Sequence, residues 1–157
     1  MKEIPGKTKY VNVVTDPMRD QFYNIAYLNF GDSNQIRAHI KDQINVDHHP
    51  LIIHQVEDLI VGFIKGQIYE FSIYNPSAMP PIKTAHIDWF YLHPDFQWMG
   101  IGTMLFQRFS EYAKLKQAQE ITLYSESSES GKSFYDKNGF KSVGYNELMR
   151  KELRMGK

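Results

Sequence analysis

The sequence predicts a mixed α/β protein of the α+β type, with a single mixed, largely antiparallel sheet flanked by helices. Strand patterns outnumber helix patterns, and the helices are interspersed among the strands. The clearest helix, over 101–116, carries apolar residues at three- and four-residue steps, which is typical of an amphipathic helix. A chain of 157 residues suits one hydrophobic core, so we expect a single domain over residues 1–157.

The composition excludes several classes of function. The formal net charge is zero, whereas binding to nucleic acid or an anionic membrane favours a basic excess, so we expect neither partner. The absence of cysteine excludes disulfides, thiolate metal sites and cysteine nucleophiles, and without a helical pair of histidines we expect no metal site. The sequence shows neither the apolar run of a signal peptide nor a segment of bilayer length, and we therefore expect a cytoplasmic location.

Local signals place four helices along the chain. Asp16 is a predicted N-cap followed by Pro17 at the first helical position, and Asp32-Ser33 offers a second cap. Asn138-Gly139 ends the last helix, because glycine tolerates the left-handed conformation that often follows a helix. The predicted helices cover 17–29, 34–45, 101–116 and 130–137.

β-branched and aromatic residues predict the strands. A turn at Glu57-Asp58 joins two of them into a hairpin, in which Gly62 and Gly66 mark bulge or close-approach positions. A second hairpin at the C-terminal end has exposed edges that could pair with another copy, so a homodimer is an expectation. The predicted strands cover 8–15, 51–56, 59–71, 85–92, 120–125, 140–145 and 147–153.

The decisive feature is the junction between the strand that ends at Leu92 and the helix that begins near Ile101. The connecting loop contains Gly100 and Gly102 and opens directly into the helix. The N–H groups of a first helical turn lack intrahelical partners, the macrodipole adds partial positive charge, and glycine lets a bulky anion come close. This arrangement indicates a pyrophosphate site, with a tight loop that binds nothing as the alternative. P-loop and dinucleotide-binding signatures are absent.

Three segments lie in a fixed order around this junction, namely Tyr91 to Phe96, Gln97-x-x-Gly100-x-Gly102, and Phe134-Tyr135-x-x-x-Gly139-Phe140. They resemble signatures of the GNAT superfamily of N-acetyltransferases. The resemblance covers most of the chain and is strongest over 85–145. It implies an acyl-CoA N-acyltransferase-like fold and acetyl-CoA as the acyl donor. The cofactor-binding residues that it implies are Tyr91, Leu92, Gln97, Trp98, Met99, Gly100, Ile101, Gly102, Thr103, Ser128 and Tyr135.

The sequence departs from the family pattern at two places. Trp98 and Met99 stand where basic or small residues are frequent, so phosphate would be held by backbone N–H groups and the helix terminus. Ser128 stands where many members have an asparagine that contacts the pantetheine arm, and serine reaches less far.

The resemblance also implies a mechanism, in which a primary amine attacks the thioester directly through a tetrahedral intermediate. Asp88 is the predicted base that removes the ammonium proton, with His86, on the same face of the strand, or a water as rivals. A backbone N–H near Leu92 would stabilise the oxyanion, and Tyr135 would protonate the departing thiolate.

The acceptor is a small-molecule or peptide amine whose identity the sequence leaves open, as it does any preference for acyl chains longer than acetyl. Acidic residues in the N-terminal helices, such as Asp20, are compatible with a cationic acceptor and equally with a solvated surface. The alternative function is a non-catalytic acyl-CoA-binding or regulatory module on the same fold. Asp88 and Tyr135 favour the enzyme.

Overall fold

A computed structural model of the protein describes residues 3–44, 50–124, 129–143 and 148–153. Its helices are α1 (Asp16–Phe30), α2 (Asn34–Gln43), α3 (Ile101–Leu115) and α4 (Glu129–Lys137). Its strands are β1 (Lys7–Tyr10), β2 (Leu51–Val56), β3 (Leu59–Tyr69), β4 (Thr84–Leu92), β5 (Glu120–Tyr124), β6 (Lys141–Ser142) and β7 (Leu148–Glu152). This order of elements is the predicted one, with a short 3-10 turn over Pro94–Phe96 added.

The seven strands form one sheet in the order β1-β2-β3-β4-β5-β7-β6. The pairs β1–β2, β2–β3, β5–β7 and β6–β7 are antiparallel, and β4–β5 is parallel. The parallel pairing aligns Thr84–Ile87 with Glu120–Leu123, and β4 then continues to Leu92. The predicted fold class, a mixed and largely antiparallel sheet with helices, is therefore confirmed.

Residues 3–44, 50–66 and 89–109 form one compact unit. Its core lies between α1 and the first strands, where the rings of Phe22 and Phe63 pack with centroids 4.7 Å apart. The apolar residues of α1 in this core lie on one face of the helix, and Leu51 and Ile53 occupy alternate positions of β2. The buried cluster contains Val11, Val14, Phe22, Ile25, Ala26, Ile40, Ile44, Leu51, Ile53, Ile60 and Phe63.

Residues 67–88, 110–124, 129–143 and 148–153 form a second compact unit. A buried polar cluster lies within its strands. The fully buried Glu120 carboxylate accepts hydrogen bonds from Ser72 and from Thr84 and forms an ion pair with Arg150. Arg150 also lies over the ring of Tyr74. A buried carboxylate is tolerated only when paired and hydrogen-bonded, and this one has both kinds of partner.

The helix ends show which local signals were correct. The N-cap of α1 is Thr15, whose hydroxyl accepts a hydrogen bond from the N–H of Met18, so the predicted cap at Asp16 is wrong by one residue. Ser33 caps α2 as expected. Gly139 follows α4 with φ +89°, the left-handed conformation that its predicted role requires.

The first strand is shorter than the predicted 8–15. Pairing with β2 covers only Lys7–Tyr10, and the N–H of Val11 makes the last bond, to the carbonyl of Leu51, where β2 itself begins. Val11 and Val14 follow the paired residues and are buried in the core. Val11 and Val14 therefore serve packing rather than strand pairing, whereas Val13 is exposed and Thr15 caps α1.

In the second hairpin, β6 and β7 pair as predicted, although β6 is only two residues long and β7 lies between β5 and β6. The hairpin of β2 and β3 turns at Glu57, which has φ +54°. Gly62 is a close-approach position, since a Cβ there would lie 2.6 Å from Cδ2 of Leu92. In the part of the chain that the structure describes, no helix is long and apolar enough to span a membrane.

Candidate active site

In the first compact unit, the predicted cofactor loop begins where β4 ends. The N–H of His93 donates to the carbonyl of Val61 at 2.7 Å, and the carbonyl of Leu92 accepts from Nδ2 of Asn29 at 2.8 Å. The His93 side chain then accepts from the N–H of Asp95 and caps the short turn over Pro94–Phe96. These hydrogen bonds fix the direction in which the chain leaves β4.

Two residues of the loop adopt the left-handed backbone conformation. Trp98 has φ +66° and Gly100 has φ +89°. Glycine adopts this conformation without strain, whereas a residue with a Cβ pays about 1 kcal/mol. A Cβ at Gly100 would also lie 3.0 Å from Cδ1 of Ile4, so a segment near the N-terminus packs against the loop.

Helix α3 starts immediately after Gly100. The N–H of Met104 donates to the carbonyl of Gly100, so the N–H groups of Ile101, Gly102 and Thr103 precede the first intrahelical bond. Ile101 is fully buried and anchors this end of the helix in the core. Backbone donors, glycines and the positive end of the macrodipole therefore coincide at one place, as an anion site requires.

The side chains of the loop point into solvent or into the core. Trp98 is 87% exposed and Met99 is 41% exposed, and neither carries a charge that could pair with phosphate. Tyr91 makes edge contacts with Phe30, Phe63 and Trp89, with centroids 5.0–5.9 Å apart. Its ring belongs to an aromatic cluster.

In the second compact unit, Asp88 lies near the middle of β4. Its Oδ2 accepts a hydrogen bond from Nε2 of Gln67 at 3.0 Å, and its Oδ1 lies 4.0 Å from Nε2 of His86. The side chain of Asp88 is 19% exposed and that of His86 is 8% exposed. Both residues occupy the same face of the strand, as predicted, and the carboxylate is the more accessible of the two groups.

His86 is held by the neighbouring strand. Its Nδ1 lies 2.7 Å from Oγ1 of Thr122, its partner in the parallel register, and its ring is edge-on to Tyr69 and Tyr124. Burial lowers the pKa of His86, and the Asp88 carboxylate opposes this shift less strongly. The imidazole is accordingly neutral at pH 7.

Four residues that contact His86 or Asp88 were not among the predicted site residues, namely Gln67, Tyr69, Thr122 and Tyr124. Burial raises the pKa of Tyr69, with additional contributions from Asp88 and Tyr124. Gln67 and Tyr69 are two positions apart on β3, as Thr122 and Tyr124 are on β5, so each pair lies on one face of its strand. This spacing was visible in the sequence. Which of these residues face His86 and Asp88 depends on the strand register, which the sequence leaves open.

Tyr135 lies in α4 and is half-buried between Phe134 and Phe140, with ring centroids 5.7 Å and 5.6 Å away. The N–H of Phe140 donates to the carbonyl of Tyr135, and Asn138 caps the helix end through the carbonyl of Phe134. The Phe-Tyr-x-x-x-Gly-Phe segment is therefore a compact aromatic helix end. Ser128, the other predicted cofactor residue of this region, lies outside the described residues.

Comparisons with solved structures show the fold. The structure of PaiA N-acetyltransferase from Thermoplasma acidophilum, in complex with coenzyme A, matches with a TM-score of 0.65 and 19% identity over 94% of this chain and 99% of that one. An aminoglycoside 6′-N-acetyltransferase complexed with coenzyme A matches with a TM-score of 0.71 and 14% identity over 93% and 96%. A transcriptional regulator from Bacillus halodurans matches with a TM-score of 0.69 and 18% identity over 96% and 99%.

Sequence comparison shows the family. No curated protein matches the chain. A family model described as an acetyltransferase (GNAT) domain matches residues 47–142, which is more than half of the chain and includes the predicted cofactor loop, Asp88 and Tyr135. The protein therefore belongs to the GNAT acetyltransferase family.

Proposed function

We propose that the protein is an N-acetyltransferase that moves the acetyl group of acetyl-CoA to a primary amine by direct attack. The observation that carries the proposal is the coincidence of left-handed Gly100 with the first-turn N–H groups of α3, at the end of the loop that follows β4. The family uses acetyl-CoA as its donor, and these backbone donors suit its pyrophosphate. Exposed Trp98 and Met99 supply no cation, so the backbone holds the phosphate.

Asp88 is the base in this proposal. An alkylammonium with a pKa near 10 must lose a proton before its nitrogen can attack, and a carboxylate can accept it directly or through a water. The hydrogen bond from Gln67 fixes one oxygen of Asp88 and leaves the other toward His86. His86 is the weaker candidate, because it is more buried and its Nδ1 is engaged by Thr122.

Tyr135 is the general acid in this proposal. When the tetrahedral intermediate collapses, the carbon–sulfur bond breaks and the electron pair leaves with the CoA thiolate. A neutral phenol is protonated at pH 7 and can donate to that thiolate. Packing between Phe134 and Phe140 supports this role, since it restricts the ring to few orientations. In this proposal the backbone N–H of Leu92 donates a hydrogen bond to the oxyanion of the intermediate.

The acceptor is a primary amine, carried by a small molecule or by a peptide. Asp88 supplies negative charge, and the rings of Tyr69 and Tyr124 stand beside His86 on the same face. Carboxylates and aromatic faces both stabilise a cationic amine before it is deprotonated.

The test is release of CoA thiol from acetyl-CoA, measured across aminoglycosides, polyamines, amino acids and peptides with free N-termini. We expect release that depends on at least one class of amine and yields the acetylated amine by mass spectrometry. CoA binding without amine-dependent thiol release from any class would instead support the acyl-CoA-binding or regulatory module.

A further inference from the structure

The peptide group that joins Leu92 to His93 is held at both of its polar ends. Its N–H, from His93, donates to the carbonyl of Val61 on β3 at 2.7 Å. Its carbonyl, from Leu92, accepts from Nδ2 of Asn29 on α1 at 2.8 Å. A trans peptide is planar, with these two groups on opposite sides, so two bonds in opposite directions fix the orientation of the whole plane.

Fixing this plane also orients the N–H of Leu92. In an extended strand the N–H and the carbonyl of one residue point to the same side, and successive residues alternate. His93 directs its N–H toward β3, so Leu92 directs both of its groups away from β3. The N–H of Leu92 therefore points to the side from which Asn29 holds its carbonyl.

Asn29 is itself fixed by its helix. It lies in the last turn of α1, is partly buried, and donates a second hydrogen bond from Nδ2 to the carbonyl of Ile25 at 2.8 Å. The two hydrogens of the amide thus serve two carbonyls 63 and 4 positions away in the chain. Asparagine is a poor helix former, so local propensity does not explain its presence here.

The side chain of Leu92 is confined as well. A Cβ on Gly62 would lie 2.6 Å from Cδ2 of Leu92, so β3 approaches this residue as closely as glycine permits. Leu92 is therefore restrained through its carbonyl, through the following N–H and through its side chain. The hydrogen bond from Asn29 comes from a side chain on α1. A substitution at Asn29 therefore removes this restraint without altering the strand.

We propose that Asn29 is a positioning residue for acetyl transfer, which holds Leu92 so that its N–H donates to the thioester carbonyl of acetyl-CoA. The inference rests on the proposed function, in which Leu92 is the oxyanion donor. When the amine nitrogen bonds to the carbonyl carbon, the π electrons move to oxygen, and the N–H of Leu92 meets the new charge. The electron pair on oxygen re-forms the carbonyl bond as the carbon–sulfur bond breaks and the thiolate leaves. Asn29 exchanges no proton.

The kinetic test uses Asn29→Asp and Asn29→Ala. Asn29→Asp keeps the shape of the side chain but replaces the N–H donor by a carboxylate oxygen, which would face the carbonyls of Leu92 and Ile25. Asn29→Ala removes the donor without adding charge. We expect kcat to fall roughly 10- to 100-fold in both, because a misplaced oxyanion donor loses most of its effect. Affinity for CoA, which lacks the acetyl carbonyl, should stay within about twofold. Asn24→Asp, at an exposed position of the same helix, is the matched control and should retain wild-type kcat.

A spectroscopic test requires no acceptor. Acetyl-CoA labelled with 13C at the thioester carbonyl gives an infrared band that moves to lower frequency when the oxygen accepts a hydrogen bond. We expect this shift with wild-type protein and with Asn24→Asp, and its loss with Asn29→Asp and Asn29→Ala. A shift that persists in both Asn29 variants would overturn the inference. So would a fall in CoA affinity as large as the fall in kcat, since that marks a general loss of structure.

The two tests separate this inference from the proposed function. Absence of transfer to every amine, with an infrared shift that depends on Asn29, would refute the enzyme and leave the positioning role intact. Transfer to an amine at the same kcat in wild type and both Asn29 variants would support the enzyme and refute the positioning role.

Discussion

Nε2 of His86 lies 4.0 Å from Oδ1 of Asp88, two positions further along β4. Burial keeps the imidazole neutral at pH 7 because it lowers the pKa of His86 by more than the carboxylate raises it. The pair is thus a carboxylate beside a neutral ring rather than two opposite charges. In our proposal Asp88 takes part in proton transfer, and we expect His86 to affect the pH dependence of stability.

Replacement of Asp88 by Asn should lower kcat roughly 100-fold at pH 7, because the amide cannot take a proton from the ammonium. The loss should shrink as pH rises toward 10, where the acceptor amine deprotonates without help. The measurement is a pH profile of kcat for wild type and Asp88→Asn. Asp58→Asn, in the exposed turn of the β2–β3 hairpin, is the control. A variant as active as wild type at pH 7 would remove Asp88 from the mechanism.

Replacement of His86 by Gln should flatten the loss of stability in acid. The folded-state pKa of His86 lies below its ordinary value of 6.5, so the unfolded chain binds more protons as pH falls through 6.5. The free energy of unfolding of the wild type therefore decreases from pH 6.5 down to the lowered pKa, and the contribution of His86 is constant above this window. Urea titrations at pH 7.5 and pH 5 measure the difference, which should be smaller in His86→Gln. An equal difference in both proteins would contradict the expectation.

Replacement of Tyr135 by Phe should lower kcat by about tenfold or more with little change in CoA affinity, because only the proton donor is removed. The ring contacts with Phe134 and Phe140 survive the change, so the thermal midpoint should stay within a few degrees. Steady-state kinetics and calorimetry with CoA test this, with Tyr112→Phe on α3 as the control. Unchanged turnover would mean that another group, or water, protonates the thiolate.

Replacement of Gly100 by Ala should weaken CoA binding as well as the fold. A left-handed residue with a Cβ costs about 1 kcal/mol or more, and the new methyl group would lie 3.0 Å from Ile4. Gly31→Ala is a matched control, since Gly31 has φ +80° and, among the described residues, no atom lies within 4 Å of the added Cβ. Both variants should unfold more easily, and only Gly100→Ala should bind CoA less tightly. Equal CoA affinity in the two would argue against the loop as the pyrophosphate site.

Replacement of Arg150 by Met should destabilise the protein by about 3 kcal/mol, because it leaves the buried Glu120 carboxylate without its cation. The double variant Glu120→Gln, Arg150→Met should be more stable than Arg150→Met alone. A neutral amide needs no counter-charge and can still accept from Ser72 and Thr84. Urea denaturation of the three proteins measures this. A double variant less stable than Arg150→Met would contradict the ion-pair explanation.

Elements with a strong local pattern were predictable almost to the residue. Helix α3, expected over 101–116, spans Ile101–Leu115, and β2 has its expected bounds of 51–56. The glycine loop and the Phe-Tyr-x-x-x-Gly-Phe segment were recognisable because glycine and aromatic residues are required there by backbone geometry and packing. In each case the signal lies within a few neighbouring residues.

Features that depend on distant partners were not predictable. β1 ends at Tyr10, opposite the start of β2, although the residues up to Thr15 have the composition of a strand. Gln67 was missed because only the register of the sheet brings it to Asp88. Such pairings are set by the sum of many long-range contacts, which no local pattern encodes.

The sequence by itself determined the order of elements, because this order follows from the local spacing of glycine, apolar and aromatic residues. Its motifs also indicated the family by resemblance and predicted the cofactor loop. Tertiary structure alone decided which groups surround Asp88, why His86 stays neutral, and that Asn29 holds the carbonyl of Leu92 from 63 positions away. The physical reason is that a charge, a pKa or a clamped peptide depends on atoms a few ångströms away in space, however far apart they are in the chain.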